Sequence, residues 1–314
     1  ASPVSRAQPK VTRSELLGGW SGETSVSMPH NLVLFSALSR GVAHIGLCQA
    51  GLVGATATLV FADHRLVVVN KPPGLSLATS RAVSTSAVER LRAALPATER
   101  EAWGLAPDGL WLVHRLDVGT SGLVLLARDP DTHRALTEAI AGHGVEKTYL
   151  ALVWGHPRPR AGELVGRIGP DPSDRRRMRV ADGGKPARSG YRVVAEVPHV
   201  TLVALRAYTG RTHQLRVHLA HAGHPIVGDD LYGGPRHHGV RDPRRRLLLA
   251  PDHPFLHAWR LALPPLSGQA SRGVSELVLT APLPADFEAA IEGLGDPLLT
   301  AARAEGISTR PGCA

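Results

Sequence analysis

The 314-residue chain has only two cysteines, Cys48 and Cys313. They stand far apart and neither has partners at metal-ligand spacing, so a disulfide framework and a structural zinc site are both set aside. No metal is expected, and the natural compartment is a reducing cytoplasm. A secretory leader is not expected either, because no basic segment at the start of the sequence runs into an apolar stretch with a small-residue cleavage site. Between Gly41 and Ala62 there is no Asp, Glu, Lys or Arg. That length could span a bilayer, but His44, Gln49, two threonines and four glycines leave it too weakly apolar to insert. There is no internal repeat and no glycine-rich phosphate loop. Acidic residues are in deficit: 27 Asp and Glu against 36 Lys and Arg give a formal charge of +9.

What is present is 43% hydrophobic residues, the composition of a globular protein long enough for one large core or two modest ones. The excess positive charge is clustered at Arg175, Arg176, Arg177 and Arg179, and again at Arg241, Arg244, Arg245 and Arg246. Such clusters suit a polyanionic partner, although a solvated face is the ordinary reading of any one of them. Residues 1–54 lack periodicity and open rich in Ser, Pro and Gly, so a poorly ordered leader is expected there. Regular signals begin near Leu59. Leu66-Val67-Val68-Val69 predicts a strand that Pro72-Pro73-Gly74 ends. Ser86 with Glu89 is a capping box for a helix through Leu95. Asp129-Pro130 opens a second helix ending near Gly142. Lys147 to Trp154 alternates as a strand, with Lys147, Tyr149, Ala151 and Val153 on one face. Tyr191–Val197 and Thr201–Ala207 predict a strand pair, and Gly210-Arg211-Thr212 predicts the start of a helix that runs to about Ala222. Strands and helices interleave without a regular βαβ period, which predicts an α+β fold with a mixed, largely antiparallel sheet and flanking helices.

Between two apolar strands, Leu110–Val113 and Leu123–Ala127, lies the polar turn His114-Arg115-Leu116-Asp117-Val118-Gly119-Thr120-Ser121-Gly122. Polar residues at the mouth of such a pair are well placed for function, and an internal Arg115–Asp117 pair with hydroxyls satisfying the turn is the plain alternative. His114-Arg115-Leu116-Asp117 followed by Thr120-Ser121-Gly122 resembles the signature loop of the RluA family of RNA pseudouridine synthases. Four further blocks resemble that family in the same order: Val69–Leu75, Lys147–Ala151, Thr209–Leu219 continuing through Gly223–Asp229, and Leu256-His257-Ala258. Together they cover residues 59–290.

The resemblance implies the pseudouridine synthase fold with a central RNA-binding cleft, over residues 55–292, leaving 293–314 as a tail. It implies a cofactor-free isomerase that detaches uracil and rejoins it to the same ribose through carbon 5. By the match, Asp117 is the essential carboxylate; attack on the anomeric carbon, addition to the ring and abstraction of a ribose proton all remain open. Tyr149 matches the tyrosine that stacks under the base and assists loss of the carbon 5 proton. Arg216 matches the arginine that pairs with the carboxylate. Arg211, at the start of the same helix, suits a phosphate, and the two roles are exchangeable on sequence alone. Arg115 matches the arginine that fills the space left by an extruded nucleotide, with a phosphate contact as the alternative. His114, Thr120, Ser121, Lys147, His213, Gln214 and Leu256 complete the implied uridine- and RNA-binding set. The expected partner is rRNA or tRNA, and a monomer is expected. A separate ribosomal-protein-like RNA-binding pattern is not found in residues 1–54, which is similar to the compact family member that modifies a tRNA anticodon stem-loop and a 23S rRNA hairpin. A protein that keeps the fold and binds RNA without catalysis is the alternative function.

Overall fold

The order of elements follows from where buried β-branched runs meet turn residues. In the computed structural model, which describes residues 56–78, 86–103, 109–265 and 276–307, Thr58–Ala62 (β1) pairs antiparallel with Leu66–Lys71 (β2). β2 ends where Pro72 and Pro73 withhold backbone donors and Gly74 takes φ +83°. Ser86 caps Ala87–Ala93 (α1): its hydroxyl accepts from the Glu89 amide at 3.1 Å, and the Glu89 carboxylate accepts from the Ser86 amide at 2.5 Å. Ala97–Trp103 (α2) and the short Trp111–Leu112 (β3) lead to Ser121–Ala127 (β4), buried at every position. Asp129 caps Pro130–Ala141 (α3), as its sequence predicts.

Glu146–Trp154 (β5) is followed by the antiparallel run Ala161–Asp171 (β6), Asp174–Val180 (β7), Lys185–Val197 (β8) and Val200–Ala207 (β9). Then come Gln214–His221 (α4), Pro243–Leu248 (α5), Leu256–Leu263 (β10), Leu277–Thr280 (β11), Ala285–Leu294 (α6) and Asp296–Ala304 (α7). All eleven strands among the described residues join one sheet, ordered β1-β2-β4-β10-β5-β9-β8-β6-β7, with β11 on β10 and β3 on β4. The architecture is the α+β, largely antiparallel one expected; the one parallel pairing among the described strands is β10 with β4, at His257–Ser121 and Ala258–Gly122. All described residues belong to one compact unit. The expected leader, residues 1–54, and all of the charge-free stretch before Thr56 lie outside the described residues. Among the described residues no helix is long and apolar enough to cross a membrane.

Alternation along β5 divides the core. Leu150, Leu152 and Trp154 pack with Phe287, Ile291 and Leu298 of α6 and α7, whereas Ala151 and Val153 pack with Leu215 and Leu219 of α4. Two boundaries differ from the sequence reading. Residues 293–307, set apart as a tail, carry α7, and Leu298, Ala302 and Ile307 are buried in the largest core cluster. The helix expected to open at Gly210 begins at Gln214, because the Gln214 amide oxygen captures the Thr209 hydroxyl at 2.6 Å and the Arg211 amide at 3.0 Å, holding those residues in a loop. Arg211 therefore does not stand at a helix N-terminus. The Arg175–Arg179 cluster lies on β7, and Arg244–Arg246 lie in α5.

Candidate active site

The polar loop between β3 and β4 is fastened from below by a lysine. Lys71, fully buried at the end of β2, donates its three ammonium protons to the carbonyls of Pro72 (2.8 Å), Leu75 (3.0 Å) and Val118 (3.2 Å), and the Gly74 amide also donates to Val118 (2.9 Å). The turn after β2 and the loop carrying Asp117 are thus one hydrogen-bonded unit. Burial pulls the Lys71 pKa down to about 7, and the nearby Asp117 carboxylate opposes that shift. His114 is tied to the strand that follows, its Nε2 accepting from the Leu125 amide at 3.2 Å. Burial, reinforced by Lys147, depresses its pKa to about 3, so the ring is neutral.

A cavity of about 230 Å3 opens over this loop, and its wall brings together His114, Arg115, Asp117, Thr120, Lys147, Tyr149, Arg211, His213, Gln214, Arg216 and Leu256. Ser121 is the candidate it leaves out. That hydroxyl is buried at the start of β4, 2.9 Å from His257 Nδ1, and serves the packing of β4 on β10. Gln214 lines the cavity with every polar valence used: besides its two acceptor bonds it donates to Arg188 O and Ser189 Oγ, each at 2.9 Å. It holds the loop in shape, with no capacity left for a ligand.

The sequence left open which arginine pairs with Asp117, and the geometry separates them. Arg216 Nη1 stands 3.6 Å from Asp117 Oδ2. Arg211 is exposed and spends Nε on Pro186 O at 3.0 Å. Arg216 is aimed by two groups the sequence reading had not assigned. Asp229, 1% exposed, takes Nε at 2.7 Å and Nη2 at 2.8 Å in a bidentate pair, and the Tyr232 ring lies under the guanidinium with 5.0 Å from its carbon to the ring centroid. With two nitrogens fixed, the third faces Asp117. His213 faces the same oxygen, Nε2 at 4.0 Å. The signal for Asp229 was indirect: an arginine among apolar helix positions demands a buried anion. Lys71, at the end of a buried strand, demanded acceptors in the same way.

Tyr149 forms part of the floor. Burial, and then the Asp117 charge, raise its pKa well above the ordinary tyrosine value, so the phenol stays protonated. Burial lowers the pKa of Lys147 beside it. Arg115 is exposed at the rim, with no hydrogen bond or ion pair among the described residues. The assembly offers a carboxylate held near a guanidinium, a flat aromatic surface, and cations around the mouth. It can hold a planar ring beside an anion and grip phosphates outside.

Comparison with known proteins accords with this arrangement. The family profile described as RNA pseudouridylate synthase matches residues 65–221. An uncharacterized RNA pseudouridine synthase of Chlorobaculum parvum is 34% identical over 248 residues, which cover 75% of this chain and 73% of that protein. Ribosomal large subunit pseudouridine synthase C of Yersinia pestis is 38% identical over 179 residues, 56% of this chain and 52% of the relative. An uncharacterized RNA pseudouridine synthase of Chloroflexus aurantiacus is 42% identical over 186 residues, 59% of this chain and 54% of the relative. The chain thus spans about half the length of these last two relatives. Among solved structures, human RNA pseudouridylate synthase domain containing 4 superposes with a TM-score of 0.56 at 28% identity, over 76% of this chain and 92% of that one.

Proposed function

Since the chain belongs to the RluA family of RNA pseudouridine synthases, we propose that it isomerises uridine to pseudouridine in structured RNA, with Asp117 as the catalytic carboxylate. The observation that carries this reading is the convergence of Asp117, Arg216 and Tyr149 on one cavity from three separate parts of the chain. In the reaction the bond from N1 to the anomeric carbon breaks, the base turns, carbon 5 bonds to the same anomeric carbon, and the proton on carbon 5 is lost while N1 gains one. Asp117 acts at the sugar or the ring, and Arg216 stands beside it as its counter-charge, Nη1 3.6 Å from Oδ2. Tyr149 stacks under the base. Because its phenol is held protonated, any part it takes in removing the carbon 5 proton must use a neutral oxygen.

A uridine reaches the cavity only by leaving its stack, and loops release bases at small cost. Arg115 is placed at the rim to fill the vacated space, and Arg211, Arg175 and Arg179 are exposed cations for flanking phosphates. The named relatives support large-subunit ribosomal RNA as the substrate; the anticodon stem-loop of tRNA is the second substrate to test. The experiment is incubation with uridine-containing 23S fragments, tRNA and isolated hairpins tritiated at carbon 5. An isomerase releases tritium to water, and Asp117→Asn does not. Release of free uracil would instead indicate a hydrolase, and binding without release in the wild type would overturn the proposed reaction.

A further inference from the structure

His213 occupies a left-handed backbone conformation, φ +56°, immediately before α4. A non-glycine residue there is costly and needs surroundings that enforce it. Its ring is gripped on one side: Nδ1 is 2.8 Å from the Tyr232 hydroxyl, and that oxygen already accepts from the Met178 amide at 2.8 Å. The hydroxyl's own proton must go elsewhere, and His213 Nδ1 is the acceptor in reach among the described residues. If Nδ1 carried a proton instead, the phenol O–H would lose its acceptor among the described residues. The other ring nitrogen gives the same answer independently. Nε2 faces Asp117 Oδ2 at 4.0 Å, where a lone pair would repel the carboxylate and an N–H attracts it. Both ends of the ring therefore select the tautomer with the proton on Nε2.

Arg216 and His213 both address Oδ2 of Asp117, at 3.6 and 4.0 Å, and no hydrogen bond or ion pair engages Oδ1 among the described residues. We propose that His213, locked by Tyr232 as the neutral Nε2–H tautomer, is a positioning residue that fixes Oδ2 of Asp117 together with Arg216 and leaves Oδ1 to meet the substrate. This rests on Asp117 being the catalytic carboxylate. A guanidinium and a neutral N–H dipole facing one oxygen orient the group electrostatically while adding a single positive charge, so the other oxygen is left for the substrate. Burial, opposed in part by Asp117, holds the ring below the ordinary histidine pKa, which suits the neutral form.

The test is long-range 1H–15N NMR of the full chain labelled with 15N-histidine, His213 being identified by the signals that vanish in His213→Asn. Asparagine tolerates the left-handed backbone but is too short to reach Asp117. The wild type is expected as the Nε2–H tautomer and Tyr232→Phe as a mixture. His213→Asn is expected to lose about tenfold in kcat with the Kd for RNA unchanged, the loss of one oriented N–H dipole facing the carboxylate. An Nδ1–H tautomer or an imidazolium in the wild type at neutral pH would overturn the proposal, as would a wild-type kcat in His213→Asn. Absence of tritium release from the wild type, with the Nε2–H tautomer observed, would overturn the proposed reaction while supporting the ring's orientation.

Discussion

Asp229→Asn is the most informative single change, because Asp229 touches Arg216 and Arg216 is what reaches Asp117. In the native protein the Asp229 carboxylate is 1% exposed and takes two guanidinium nitrogens at 2.7 and 2.8 Å. Asparagine keeps the volume and one acceptor but removes the charge, leaving Arg216, a residue only 9% exposed, with a single counterion 3.6 Å away. Removing one member of a buried pair typically costs 3–5 kcal/mol, and the remaining amide acceptor and the Tyr232 face place this case near the low end, about 3 kcal/mol. For a domain of this size that is a fall of roughly 6–12 °C in melting temperature. With Nη1 no longer aimed, kcat should fall about 100-fold, the scale of losing one preorganised charge contact, while RNA affinity holds. The assays are a thermal melt and tritium release measured well below the variant's transition. A variant melting within about 2 °C of the wild type and turning over at the wild-type rate would refute the claim that Asp229 aims Arg216.

Asp117→Asn should abolish tritium release yet bind the same RNA with a Kd within about twofold, since affinity comes from phosphate contacts at the rim; residual turnover in protein free of deamidated material would sink its catalytic role. Tyr149→Phe keeps the stacking surface, so it should bind normally and, if the hydroxyl takes part in proton transfer, turn over at least about 100-fold more slowly under single-turnover conditions; equal rates would reduce Tyr149 to a platform. Stability should fall in mild acid. His257 and His218 are buried rings whose pKa burial lowers from 6.5 to about 4. Between those values the unfolded chain binds protons that the native state refuses, so stability drops as pH falls from 6.5 to about 4, by up to about 3 kcal/mol per ring. Melting curves across that range check this, and His257→Gln should flatten the slope; a wild-type melting temperature constant from pH 7 to 4 would contradict it.

Local signals in the sequence placed the elements they govern. Ser86 with Glu89, Asp129 with Pro130, and the alternation from Lys147 to Trp154 each act within a few residues, and each element formed where its signal lies. The loop from His114 to Gly122 was visible for the same reason, as a polar turn between two buried strands. The misplaced start of α4 shows the opposite case. Gly210-Arg211-Thr212 satisfies a helix-opening pattern, but the side chain of Gln214 takes the Thr209 hydroxyl and the Arg211 amide, while its amide group reaches across to β8. That competition is settled by tertiary contacts that no local pattern contains. Asp229 and Tyr232 were similarly out of reach, for their partners Arg216 and Met178 lie 13 and 54 residues away. Arg216 announces the need for a counterion without saying whose it is. Leu298 and Ala302 do lie one helical turn apart, but a short amphipathic helix is stable only against a partner surface, here β8 and the helices beside it.

The link between core and chemistry is the place where β4 runs parallel to β10. Gly122 there has φ +111°, and a Cβ built on it would lie 2.3 Å from the Ala258 carbonyl oxygen and 2.5 Å from the Ala258 nitrogen. Two backbones approach at a distance only glycine permits. Beside it, Ser121 Oγ lies 2.9 Å from His257 Nδ1, while His257 Nε2 lies 3.3 Å from Ala281 O, so the hydroxyl donates to one ring nitrogen and the other donates to the carbonyl. The C-terminal end of the Asp117 loop is thereby fixed to β10, and β10 supplies Leu256 to the same cavity. The N-terminal end is fixed by His114 accepting from the Leu125 amide, and the middle by Lys71 on the Val118 carbonyl. A loop held at both ends and at its centre has few conformations left, so the Asp117 carboxylate is held facing Arg216 and His213 before any substrate arrives, as the proposed reaction requires. This explains why so much polar burial is tolerated under the site. Lys71, Ser121 and His257 are expensive to desolvate, and each hydrogen bond they make restrains the backbone that carries the carboxylate.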